Sequence, residues 1–242
     1  MMEIITVFIT SLFAGLVQGV SGFGAVVILM VVLPYFETMK AAMSIAGVCA
    51  MPMNLTIIHR YRDKVRFRQA IGPMLFYFAG TTFFTHLASG VNLEAYKYLF
   101  GIFLFALALY FMFFSKKIKL ENTFRNAVIC MLVASITNSF FGISGPLMVL
   151  YYVAVLKDKE EYIGTMSALF FTGNLYSTFV RLYNGFFTTE MIPSMIAGSV
   201  GMVIGSIIGG QIVKHIDGAK VKKIVYAVLA VSGAITAVKG LL

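Results

Sequence analysis

The sequence predicts an all-α integral membrane protein made of two inverted repeats, each a broken re-entrant helical hairpin plus three transmembrane helices. Three observations carry this expectation. Of 242 residues, 60% are hydrophobic and 12% charged, with a mean hydropathy of +0.90, whereas soluble domains carry about 25% charged residues. The chain matches itself at a single offset. Its lysines and arginines gather in alternate loops.

Apolar segments run over residues 4–36, 40–59, 70–90, 95–115, 126–156, 162–183, 191–213 and 221–242, with no soluble-like stretch between them. The first begins with the acidic Glu3 and has no small-residue cleavage pattern, so it reads as a retained membrane segment rather than a signal peptide. The first and fifth hold 33 and 31 residues. As helices they would reach about 45–50 Å, too long for a hydrocarbon core of about 30 Å. Each is also interrupted inside, by "QGVSGFG" and by "NSFFGISG". A steeply tilted span is one solution; a hairpin whose two short limbs enter and leave on one face is the other. The remaining segments are about 20 residues each, the length of one crossing.

A shift of 120 residues places Gln18 on Asn138, Gly22 on Gly142, Asn54-Leu55 on Asn174-Leu175, Pro73 on Pro193 and Gly90 on Gly210. A few extra residues near 213–219 bring the last segments into line. The chain therefore divides into an N-terminal repeat, 1–118, and a C-terminal repeat, 121–242, joined by the basic linker "SKKIKLENTFR" and forming one membrane domain. If segments one and five are hairpins, each half crosses three times and the halves are inverted. Fifteen of the nineteen basic residues then share one side: Arg60, Arg62, Lys64, Arg66, Arg68, Lys116, Lys117, Lys119, Arg125, Lys157, Lys159, Lys214, Lys220, Lys222 and Lys223. Lys40, Lys97 and Lys239 fall opposite. Full crossings would instead split the charge evenly, so the positive-inside rule favours the hairpins and puts both termini outside the cytoplasm. The net charge of +9 is on this reading an orientation signal and does not call for nucleic acid.

The breaks have a physical use. The second limb of each hairpin starts near Gly24 or Pro146 and aims its N-terminal N–H groups at mid-membrane, where an anion is favoured. Proline is tolerated in a first helical turn, and glycine allows tight turning. Irregular backbone survives at this depth only against protein or a water-filled cavity.

The paired stretches "GLVQGVSGFGAVVILMVVLP" and "ITNSFFGISGPLMVLYY", each opening a half of about 120 residues, resemble the TauE/SafE family of sulfite and organosulfonate exporters. The resemblance covers essentially the whole chain. It implies a transporter of small sulfur-containing anions such as sulfite or sulfoacetate, or related sulfonates or carboxylates, lying in the cell's cytoplasmic membrane, and not an enzyme. By position it carries over the pair of breaks, Gln18 to Gly24 and Asn138 to Gly145.

Gln18, Ser21, Asn138, Ser139 and Ser144, with Gly22, Gly24, Gly142 and Gly145, are the candidate anion ligands of the breaks; the polar ones serve equally as helix caps. Asn54 and Asn174 are repeat mates inside segments two and six, placed to face substrate or to bridge helices. Asn174, Ser177 and Arg181 share one helical face. Arg181 would pair an oxyanion through two parallel hydrogen bonds or snorkel to the nearby interface. All ten acids lie in loops or at segment ends, so none is placed as a buried proton relay. His86 is the one histidine inside a segment and a candidate proton carrier. Coupling is left open between a proton, a sodium ion held by backbone carbonyls, and the substrate gradient alone. No catalytic cluster appears. Met43, Cys49, Met51 and Met53 would suit a soft metal but also plain packing. An anion channel lined by the same helix ends is the nearest rival, and the apolar segments 101–114 and 225–238 would serve as scaffold or homodimer surface.

Overall fold

The computed structural model describes residues 2–114, 120–156, 158–212, 227 and 230–238, and every regular element among them is helical. In chain order these are α1 (Met2–Ser21), α2 (Ala25–Val32), α3 (Met39–Arg60), α4 (Phe67–Ser89), α5 (Lys97–Leu109), α6 (Phe124–Phe141), α7 (Gly145–Val155), α8 (Lys159–Tyr183) and α9 (Ile192–Ile212). Residues 230–238 form a further helix. Several of the basic residues used for topology, Lys116, Lys117, Lys119, Lys157, Lys214, Lys220, Lys222, Lys223 and Lys239, lie outside the described residues, as does most of the last apolar segment.

Both breaks fall where the glycines demand them. Gly22 and Gly24 have φ of 81° and 107°, and Gly142 has 71°, values that a side chain would strain. Ser21 Oγ lies 2.8 Å from the Val17 carbonyl and 2.6 Å from that of Phe23, tying the first turn to the end of α1. At the second break Gly142 N donates to Asn138 O (2.9 Å) and Ile143 N to Thr137 O (3.3 Å). Pro146 occupies the first turn of α7, where its missing N–H costs no helical bond.

Each hairpin returns to the end it came from. Glu37, after α2, lies near enough to Glu3 and Glu190 for both to raise its pKa, although burial raises it more. The same end holds the hydrogen bonds Lys40 Nζ to Ser89 O (3.0 Å), Lys97 Nζ to Pro34 O (3.1 Å) and Met39 N to Glu94 Oε1 (2.5 Å). At the other end Tyr151 at the close of α7 donates to Asn122 Oδ1 just before α6 (3.1 Å). There Tyr152 reaches Gln69 O (3.3 Å) and Arg66 pairs with Glu161. α3, 22 residues or about 33 Å long, runs from one end at Met39 to the other at Arg60. Arg60, Arg62, Lys64, Arg66, Arg125 and Lys159 thus gather opposite Lys40 and Lys97.

The limbs are unequal, which corrects the expectation of two short ones. α1 and α6 have 20 and 18 residues, whereas α2 and α7 have 8 and 11. Among the described residues four helical stretches are long and apolar enough to cross a membrane: Met2–Ser21, Met39–Arg60, Phe124–Phe141 and Thr189–Ile212. The entering limbs are among them because the Gly-rich break falls late in each long apolar segment. α4 and α8, of 23 and 25 residues, are long enough but are not among these four; α8 carries Lys159, Glu160 and Glu161 in its first turn and Arg181 in its last.

α1 packs along α9, α4 against α6, and α3 against both α8 and α9, with α8 also on α4. Glycines set the α1–α9 spacing. A Cβ on Gly201 would stand 2.6 Å from the Phe8 carbonyl, and one on Gly19 2.6 Å from that of Ser206. Small residues allow such backbone approach in a membrane, where packing rather than water exclusion joins helices.

Candidate functional site

The two breaks frame a cavity of about 20 Å³, room for one water molecule. Gln18 and Gly24 line it from the first hairpin, Ser144 and Gly145 from the second, and Asn54 and Asn174 from α3 and α8. Val26, Val27, Ile143 and Phe170 supply apolar walls. No acidic side chain is among these residues.

Gln18 performs the capping role foreseen for it. Its Oε1 accepts from Ala25 N (3.0 Å), holding the start of α2, while its Nε2 donates to Asn54 Oδ1 (3.0 Å). Both ends of the carboxamide are therefore engaged inside the protein. Asn54, 1% exposed, is left with a buried Nδ2 that has no acceptor. Val26 and Val27 follow in the first turn of α2, whose N–H groups have no acceptor within the helix. Gly145 begins α7 from the other side, with no side-chain cap on its helix. The cavity thus meets two helix N-termini and an unsatisfied amide donor, a set that favours an acceptor carrying negative charge.

Arg181 does not snorkel. It is 1% exposed; Nη1 donates to Met43 O (2.8 Å), and Nη2 to Asn138 O (2.8 Å) and Asn138 Oδ1 (3.3 Å). Its Nε has no partner, and no carboxylate pairs with it among the described residues. Gly47 makes room for it: a Cβ there would stand 3.3 Å from Nη1 and 4.0 Å from Asn174 Oδ1. The guanidinium lies behind the cavity wall and joins a carbonyl of α3, Met43 O, to one in the last turn of α6, Asn138 O, which also accepts from Gly142 N.

The predicted residues therefore divide. Gln18, Gly24, Asn54, Ser144, Gly145 and Asn174 meet at the cavity. Asn138, Ser177 and Arg181 form a buried cluster beside it, with Asn138 Nδ2 donating to Ser177 Oγ (2.9 Å). Ser139 pairs with Thr85 (2.9 Å), and Ser21, Gly22 and Gly142 shape the turns. His86 is exposed near the end of α4, 3.1 Å from Asn184 Oδ1, and is not brought to the cavity. Cys49 faces α9, its thiol 3.5 Å from Met195 O, while Met43 packs against Gly142, so these two do not share a site. Tyr77, missed in the sequence, is fully buried with its hydroxyl 3.4 Å from Ser177 Oγ. Nothing distinguishes it there from eleven other tyrosines. Phe170, likewise unsignalled, packs 3.5 Å from where a Cβ on Gly145 would stand.

The family model for the sulfite exporter TauE/SafE matches residues 7–236. No curated protein and no solved structure matches the chain.

Proposed function

The chain belongs to the TauE/SafE sulfite exporter family, and from that premise we propose that it is a secondary carrier of a small organic or inorganic anion, bound between the two helix turns. The family is one of membrane transporters, not of enzymes, and the protein is integral to the membrane. Sulfite, sulfoacetate and other sulfonates or carboxylates are the substrates to consider. The observation that carries the reading is the cavity itself, which meets two helix N-termini and the unpaired Asn54 Nδ2 with no acid in its lining. At about 20 Å³ it is too small for a four-atom oxyanion, consistent with a carrier between its open states. Alternating access is the mechanism that would enlarge it toward each side in turn.

We read the two halves, 1–118 and 121–242, as inverted repeats. The support is an exchange of contacts under the 120-residue shift. α1 on α9 answers α6 on α4, and α3 on α9 answers α8 on α4. Gly22 beside Ile163 answers Gly142 beside Met43. The basic end would face the cytoplasm, with both termini outside it and the protein in the cytoplasmic membrane.

The test is uptake into proteoliposomes of sulfite, sulfoacetate, taurine and simple carboxylates, with pH and voltage gradients imposed separately. Saturable flux of one anion is the expected result, and the gradient that drives it identifies a coupled proton or a net charge. Absence of flux for all of them in folded protein would overturn the assignment.

A further inference from the structure

A second cavity, of about 190 Å³, opens beside the returning limb of the first hairpin. Met30, Val31, Pro34 and Phe100 form its apolar walls, and Lys97 is its charged residue. Lys97 is paired with Glu94 at 2.6 Å, and its side chain is 31% exposed. This places a cation at the mouth of a cavity on the Glu94 side of the molecule.

The two cavities share one face of α2. Val27 lines the smaller one, and Met30 and Val31, three and four residues on, line the larger. Such spacing puts all three on one stripe, about one helical turn or 5.4 Å apart. Met30, fully buried, has its Sδ 3.3 Å from where a Cβ on Gly142 would stand, and Met43 Cγ is 2.7 Å from the same point. The next residue, Ile143, is already a wall of the smaller cavity. Two thioether side chains thus press on the glycine turn that leads into the smaller cavity, one of them, Met30, from a wall of the larger. Both are unbranched and change rotamer without moving backbone. A branched residue at either position would hold the turn shut or need the helices to part.

We propose that the two cavities are successive stations of one anion pathway and that Met30 and Met43 are the gate between them, with the Lys97 cavity as the vestibule. The proposal rests on reading the smaller cavity as the anion site. Gly142 belongs to the gate because only a residue without a side chain lets both methionines close on the turn. Lys97 is already engaged by Glu94 and the Pro34 carbonyl, so the vestibule passes an anion rather than holding it.

The test is modification by the anionic reagent 2-sulfonatoethyl methanethiosulfonate of single cysteines, in right-side-out and in inside-out vesicles. The background is Cys49→Ala with Cys130→Ala, and both natural thiols are buried. Val31→Cys is expected to react readily in vesicles of one orientation, and Val27→Cys at least about tenfold more slowly in the same vesicles. Adding Met30→Ala should speed Val27→Cys several-fold and leave Val31→Cys unchanged. Equal rates at both positions, or no effect of Met30→Ala, would overturn the gate. If Val27→Cys does not fold, Val26→Cys reports on the same cavity. Sulfoacetate, which unlike sulfite attacks neither the reagent nor the mixed disulfide it forms, should slow the reaction in the smaller cavity. Failure of that protection with the Met30 effect intact would count against the anion site while the gate stood.

Discussion

Gln18→Glu separates the fold of the site from its chemistry. The substitution keeps shape, and the carboxylate still accepts from Ala25 N at the start of α2, where negative charge is favoured. Asn54 now needs only to turn its carboxamide: its unpaired Nδ2 becomes the donor to the new oxygen that replaces Nε2. Thermal stability in detergent should therefore stay near that of the parent protein. Binding should not. An anion in so small a cavity lies about 5 Å from residue 18, and at an effective dielectric of about 20 two like charges there repel by roughly 3 kcal/mol. That is about two orders of magnitude in affinity. The assay pairs labelled sulfite uptake in proteoliposomes with thermal unfolding. Flux lost at unchanged stability is expected, with recovery at acid pH as protonation removes the charge. Parental flux at neutral pH would refute the placement of the site, and a collapse in stability would refute the account of how Gln18 and Asn54 are bonded.

Gly142→Ala should cost about 1–2 kcal/mol for its left-handed backbone and displace Met43 as well, so it should lower transport and melting temperature more than Gly22→Ala, whose nearest neighbour is a side-chain atom at 3.3 Å. Arg181→Lys, able to replace only part of three charge-assisted bonds, should destabilise by about 2–4 kcal/mol, read as a lower melting temperature. Glu37→Gln tests the acidic end. A raised pKa means that the folded protein holds this proton more tightly than the unfolded chain, so stability falls as pH rises through the ordinary and then the raised value. The variant should melt higher than the parent at pH 7.5 and match it below about pH 4; a gain of equal size at both would refute the assignment.

The breaks were legible because glycine spacing marks them directly, and Pro146 marked the start of α7. Limb lengths were not, since hydropathy runs unbroken through "VILMVVLP" and does not say how far along the segment the turn sits. Asn174, Ser177 and Arg181 did share a face, but seven residues of helix span about 10 Å, enough to place the first at the cavity and the last behind its wall. Snorkelling was the natural reading of Arg181 near a helix end; what captured it was a set of carbonyls from α3 and α6, up to 138 residues away in sequence. The Gln18–Asn54 bond joins residues of the breaks and segment two that were each singled out, yet their pairing depends on tertiary register and could not be read.

The glycine seam between α1 and α9 also bears on biogenesis. During synthesis α1 enters the membrane long before its partner exists, because about 170 residues separate Ser21 from Ile192. A face shaped for backbone contact gains little from lipid tails. Until the ribosome has delivered α9, the first helix has no surface that fits it, and its register must be fixed after insertion rather than during it. Such late, long-range closure slows folding and leaves partly assembled chains open to wrong partners. Truncation before α9 should therefore yield a protein that inserts but is degraded, however intact the first hairpin's own turn.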